Sequence, residues 1–322
     1  MAHAIENRNG RDCMFYVGQT PWHGLGTKVE SDITIGDAII SAGLDWEVET
    51  VETMTVDGQP VPMRLAVRRS DDKRILGSVG PRYTPLQNRT AFDFFQPFLD
   101  AGEASLHTAG SLHGGEKIWV LAQANRRNTE IVKGDEVAKF MLLSNSHDGT
   151  TAIRVGFTPI RVVCANTMAQ AHSSAGSKLI RIRHTKNSQI NLDRIRDTMD
   201  AIDASFETHA EQFKFLASRD FNQKDINKFV RVLLDIDDKQ EEDIKTRTRN
   251  TIDEIMGLIE GPRQSMEGVR GTWWAAYNGF NEYLNYKQGR NADNRMASLW
   301  LGINANENTR ALELAMDYAN SI

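Results

Sequence analysis

The sequence predicts an α+β protein: an antiparallel sheet with backing helices in the N-terminal half, followed by a helical C-terminal part. Three observations carry that reading. Residues 44–165 hold short runs that alternate apolar and polar, the period of a half-buried strand. Between those runs stand Asp-Gly and Gly-Gly pairs that serve tight turns. After Asn191 the apolar spacing lengthens to that of amphipathic helices. The expected division is a strand-rich core domain with an N-terminal arm over 1–190, and a helical region packed on it over 191–322.

Residues 13–29, CMFYVGQTPWHGLGTKV, mix aromatics and glycines without a helical period, and read as an ordered arm anchored by Phe15, Tyr16 and Trp22. Gly24-Leu-Gly26 lacks the third glycine and the preceding strand of a dinucleotide fingerprint. Thr34 opens a short helix that Gly43 ends. Trp46–Val51 and Val61–Val67 alternate around Asp57-Gly58, a hairpin signal, and Ile75–Gly80 continues the meander. A helix follows from Pro85, with Ala91, Phe94, Phe95, Phe98 and Leu99 on one face and Gly102 at its end. Ala104–Gly110, Lys117–Ala124 and Glu136–Ser144 read as three more strands.

Residues 144–167, SNSHDGTTAIRVGFTPIRVVCANT, open with a polar turn and continue as an alternating strand that offers Arg154 and Arg161 beside its apolar face. Leu179–Lys186 repeats the device, with Ile180 and Ile182 on one side and Arg181 and Arg183 on the other. Residues 192–260 read as amphipathic helices, and the acidic run Asp235–Asp243 as a solvated connection between them. In the aromatic helix 271–288, Trp273, Tyr277, Phe280 and Leu284 form a core stripe, and a last helix runs Thr309–Asn320.

Composition sets limits on function. A chain of 322 residues with 40% apolar and 25% charged content is ordinary for a globular protein. No apolar run approaches the ~20 residues of a membrane span. The first residues carry no apolar signal core, so a cytoplasmic location in a bacterial host cell is expected. Cys13 and Cys164 form no metal-binding pair, and no phosphate-loop, nucleophile-elbow or zinc-protease motif is present. No cofactor and no metal are expected. Cys164 with His147 and Asp148 would make a nuclease or hydrolase site only if the fold joined them; a turn and a buried thiol are the plainer reading.

Charge is distributed unevenly. Residues 151–196 carry eight basic side chains against the single acid Asp193, so a segment of +7 sits in a chain of −5. The arginines are either a solvated sheet face, or partners of the acidic helices, or a surface that follows a phosphate backbone. On the last reading Arg154, Arg161, Arg181 and Arg183 neutralise phosphates, Lys178 and Lys186 stand at the rim, and Phe157 and Trp119 offer rings for stacking.

MFYVGQTPWHGLGT, SNSHDGTTAIRVGFTPIRVVCANTM, IRHT, GTWWAAYNGFNEY and SLWLG together resemble the phage/plasmid-like protein family, whose core is domain of unknown function 932. That resemblance spans nearly the whole chain and implies no assigned activity. In pattern the chain is also similar to phage single-strand annealing proteins, which hold single-stranded DNA in a basic groove and assemble into rings or filaments. The similarity implies a non-enzymatic single-stranded DNA-binding protein, an annealing or recombination mediator acting as a homo-oligomer, with DNA preferred to RNA. The alternative expectation is a host-interaction protein that docks a bacterial partner on Trp274 and Tyr283 of the aromatic helix.

Overall fold

The computed structural model describes residues 5–18, 21, 24–124, 128–161, 180–197, 209–288 and 303–321. It is α+β, with antiparallel sheets in the N-terminal half and helices in the C-terminal part. Two compact units interleave along the chain: Met1–Arg126, Phe140–Phe157 and Lys178–Asp203 form the first, and Arg127–Lys139, Thr158–Ser177 and Ala204–Ile322 the second. Among the described residues no helix is long and apolar enough to cross a membrane, and no three His, Cys, Asp or Glu side chains cluster as metal ligands.

The first unit begins with a two-residue pair, β1 (Asn7–Arg8) and β2 (Arg11–Asp12), and then β3 (Met14–Val17) and β4 (Thr27–Val29). The expected arm is therefore part of the sheet. MFYV is a continuous apolar run, which a strand buried on both faces requires, and β3 pairs with β4 in parallel. A separate three-stranded sheet, β5 (Val48–Met54), β6 (Pro60–Arg69) and β7 (Ile75–Val79), turns at Asp57-Gly58, where Gly58 takes a φ of +80°. The main sheet continues through β8 (Ala104–Leu112), β9 (Lys117–Ala124), β10 (Thr129–Val132), β11 (Asp135–Ser146), β12 (Ile153–Arg161) and β13 (Ile180–Ile182). Its order is β13-β12-β11-β9-β8-β3-β4, with β10 paired to the start of β11.

The helix expected from Pro85 is two short ones, Asn88–Asp93 and Gln96–Asp100. Pro97 has no N–H to donate, and its ring would meet the carbonyl of Asp93, so the first helix cannot run through it. Phe92 and Phe95 are fully buried beside Phe15, Leu44, Val120 and Ile153 in one core. Burying each aromatic ring stabilises the unit by roughly 1.5–3 kcal/mol before the entropy of ordering it.

The second unit is built around the helix Trp273–Tyr286, which Thr272 caps by accepting from the Ala275 N–H at 3.3 Å. Its predicted stripe is buried, and so are Trp274, Asn278, Asn281 and Asn285 on the neighbouring faces. A helix buried almost all round needs tight neighbours. A Cβ on Gly279 would lie 2.6 Å from the Ile259 Cα, so the helix Thr246–Ile259 presses directly on its backbone. Trp273 stacks on Tyr318 of the last helix, Ile303–Asn320, which begins one turn and more before its expected start. Trp274 donates its indole N–H to Asp135 Oδ2 at 2.8 Å and packs on Phe213, tying the β10–β11 hairpin to the helix.

Candidate functional site

The polar turn after β11 is a joint held from four sides. Asp148 accepts from Lys117 Nζ at 2.8 Å, from the Thr150 N–H at 2.9 Å and from the Thr150 hydroxyl at 2.6 Å, and also from the Ser146 hydroxyl. Burial pushes its carboxyl up, but those donors outweigh burial and hold it down at about 2. Gly149 supplies the left-handed φ of +77° that the turn needs. A Cβ on Gly77 of β7 would fall 2.6 Å from the Asp148 backbone, so the small sheet meets this turn backbone to backbone.

His147 points inward from the same turn and is fully buried. Its Nε2 lies 2.9 Å from Asn88 Oδ1, and its Nδ1 lies 3.3 Å from Asn145 Nδ2. Since the amide oxygen only accepts, the ring proton sits on Nε2 and Nδ1 accepts. Asn88 donates in turn to the carbonyls of Leu44 and Trp46. Burial, with a smaller push from His184, drops the His147 pKa to about 3. A neutral, enclosed ring with both nitrogens committed is a structural histidine, and His147 and Asp148 share no hydrogen bond. The hydrolase expectation loses its base; Cys164, its nucleophile, lies outside the described residues.

The arginine-presenting strands form as expected at their centre. Ile153 faces Ile182, Arg154 faces Arg181 and Val155 faces Ile180 across β12 and β13. The three isoleucines and Val155 turn to the core, so the two arginines share the opposite face. Burial and the opposed Arg181 guanidinium lower the pKa of half-buried Arg154. Like charges directly opposite in a ladder are unfavourable. The strand expected to reach Lys186 stops at Ile182, because the next residues are bound elsewhere. Tyr83 stacks on His184 with ring centroids 4.6 Å apart, His184 Nε2 donates to the Thr151 carbonyl at 3.2 Å, and the His184 carbonyl accepts from the Thr84 N–H at 3.2 Å. Tyr83 also donates its hydroxyl to the Ser146 carbonyl at 3.0 Å.

These contacts wall an open cavity of about 920 Å³. Arg64 reaches it from β6, Arg82 from the loop before Tyr83, and Arg183 from the end of β13, with the hydroxyl residues Thr150, Thr151 and Thr185 between them. All three arginines are exposed, and among the described residues no carboxylate side chain lines the cavity. Among the described residues none forms an ion pair with Arg64, Arg82, Arg181 or Arg183. Guanidinium groups ringed by hydroxyl donors are the chemistry that suits phosphate oxygens.

The predicted site residues scatter around this cavity. Arg183 lines it, Arg154 and Arg181 lie on the adjoining strand pair, and Lys186 is exposed in the turn before the helix Ser188–Asp197. Lys178 and the side chain of Arg161 lie outside the described residues. Two aromatic assignments are corrected. Trp119 is 0% exposed, its indole folded over Gly110 of the neighbouring strand, where a Cβ would sit 2.7 Å from the ring; it has no face open to a base. Phe157 shares the parity of Ile153 and Val155 and packs on the core, away from the arginines. Trp274, offered as a partner anchor, is 1% exposed, and Tyr283 is half-buried beside Phe280. Arg64 and Arg82 are the residues that sequence reading missed: Arg64 interrupts the apolar run Val61–Val67, and Arg82 follows Gly80-Pro81 in a turn, with no pattern that joins the two.

No curated protein and no solved structure matches the chain. The family model described as Domain of unknown function (DUF932) matches residues 75–300, from β7 through the Tyr83–Ser146–His184 joint to beyond the aromatic helix, and the chain belongs to that family.

Proposed function

We propose that this protein binds single-stranded nucleic acid, DNA in preference to RNA, by its phosphate backbone. The observation that supports this reading is the convergence of Arg64, Arg82 and Arg183 on one cavity, with no carboxylate among the described residues of its lining. Guanidinium forks suit phosphate oxygens, and the threonine hydroxyls add neutral donors around them. Arg181, exposed on β13, extends the positive surface along the β12–β13 pair. A concave site of this size accommodates an unpaired strand. In its full form the proposal is a phage- or plasmid-encoded annealing or recombination mediator, working as a homo-oligomer in the bacterial cytoplasm.

The test is fluorescence anisotropy of the full chain with a labelled single-stranded oligonucleotide across a salt series, with size-exclusion chromatography in parallel. Each phosphate contact on a single strand contributes about −0.7 to the slope of log affinity against log salt. Arg82→Ala with Arg183→Ala should weaken binding and flatten that slope by roughly 1.4, two contacts' worth. An unchanged affinity and slope in the double variant overturns the proposal, as does the absence of oligonucleotide binding at low salt.

A further inference from the structure

The ladder between β5 and β6 contains an irregularity that aims two side chains at the same cavity. Glu52 pairs with Leu65 and Met54 with Pro60, so a step of two residues on β5 opposes a step of five on β6. The surplus leaves the ladder as a bulge, Val61–Arg64. At its crest Met63 takes a φ of +57°, a conformation that glycine or asparagine ordinarily fills. The residue is 74% exposed, so packing in the core does not explain a methionine there. Met63 and Arg64 instead both line the cavity that holds Arg82 and Arg183. Bulges beside functional sites serve to redirect a side chain, and strained residues gather at such sites.

We infer that this cavity seats one nucleotide unit of the bound strand, with the phosphate on Arg64, Arg82 and Arg183 and the base laid against Met63. The inference rests on the nucleic-acid reading above and adds to it a base-contacting residue. A thioether on an unbranched chain is polarizable and adaptable, so it packs on the face of any base without choosing among them. A cavity of about 920 Å³ lies within the range that holds ligands of nucleotide size. The arginine next to an exposed apolar residue reproduces, on one bulge, the alternation of charge and apolar surface along a nucleic-acid strand.

The experiment compares three probes on the full chain by calorimetry or chemical-shift titration: thymidine monophosphate, deoxyribose 5-phosphate and inorganic phosphate. Met63→Gly is the main variant because glycine fits the left-handed φ and removes only the side chain; Met63→Ala is the second, and a melting curve checks both folds. The nucleotide should bind about tenfold more tightly than the sugar phosphate, the value of partly burying a methionine. Met63→Gly should bring the nucleotide down to the sugar phosphate, leave the sugar phosphate unchanged, and weaken oligonucleotide binding without altering its salt slope. Equal binding of nucleotide and sugar phosphate, or a difference that survives in both variants, overturns the inference while oligonucleotide binding leaves the wider reading in place. If the oligonucleotide itself does not bind, both fall together.

Discussion

Acid should destabilise the first unit through His147, and one substitution isolates the effect. The ring is held neutral by burial, with a pKa of about 3 against an ordinary 6.5. Between those values the unfolded chain binds a proton that the folded chain refuses. The stabilisation is therefore complete above pH 6.5 and is lost as pH falls towards 3. One proton corresponds to about 1.4 kcal/mol per pH unit, so lowering the pH from 6.5 to 4 removes about 3 kcal/mol. His147→Gln keeps an N–H for Asn88 and cannot titrate. It should cost some stability at every pH through the lost edge contact with Trp46, while flattening the pH dependence by that same 3 kcal/mol. His107, lowered to about 4 by burial, contributes a similar slope to both proteins and cancels in the comparison. Asp148 is lowered to about 2, so its own contribution fades only below about pH 3.8. Native-state hydrogen exchange at Leu143 and Val155 reads the opening free energy of this core directly. Parallel pH dependence in the two proteins, or a His147 resonance that titrates near 6.5, would refute the reasoning.

Two further substitutions each probe a packing contact inside one unit. Gly77→Ala places a methyl 2.6 Å from the Asp148 backbone and should cost roughly 1–3 kcal/mol by overpacking, seen as faster exchange in β7 and the 147–151 turn; a neutral result would show that the two backbones separate freely. Trp274→Phe keeps the ring on Phe213 but removes the donor to buried Asp135, and should destabilise the second unit by about 1–3 kcal/mol in urea unfolding followed by the β10–β11 amides.

Strand and turn positions were legible because the signals are local. Alternation around Asp57-Gly58 and the Gly-Gly at 114–115 places β5, β6, β8 and β9 within a few residues. The partition of those strands into two sheets is not local, and neither is the contact of Gly77 with Asp148, some seventy positions away. Trp119 was misassigned although its run, IWVLA, is apolar at every position, the sign of a strand buried on both faces. That Arg154 and Arg181 leave the apolar face of their strands was legible because alternation determines which way each side chain points; that they stand opposite each other was not, since register is not local. Arg64 and Arg82 could not be placed in advance, because one depends on a bulge and the other on a turn clamped by the His184–Tyr83 stack. Pro97 is a local signal, since its ring forbids a continuous helix from Pro85 to Gly102.

The place of β3 in the main sheet has a consequence for the ribosome. Met14 pairs with Gly110, nearly a hundred residues later in the chain. At typical rates of about 5–20 residues per second, the apolar strand MFYV exists for roughly 5–20 s before the strand that covers it has been made. Through that interval it is a short, sticky β-segment with an open edge. Its N-terminal flank, Arg8, Arg11 and Asp12, is charged, and such neighbours keep a waiting strand from pairing with the wrong chain.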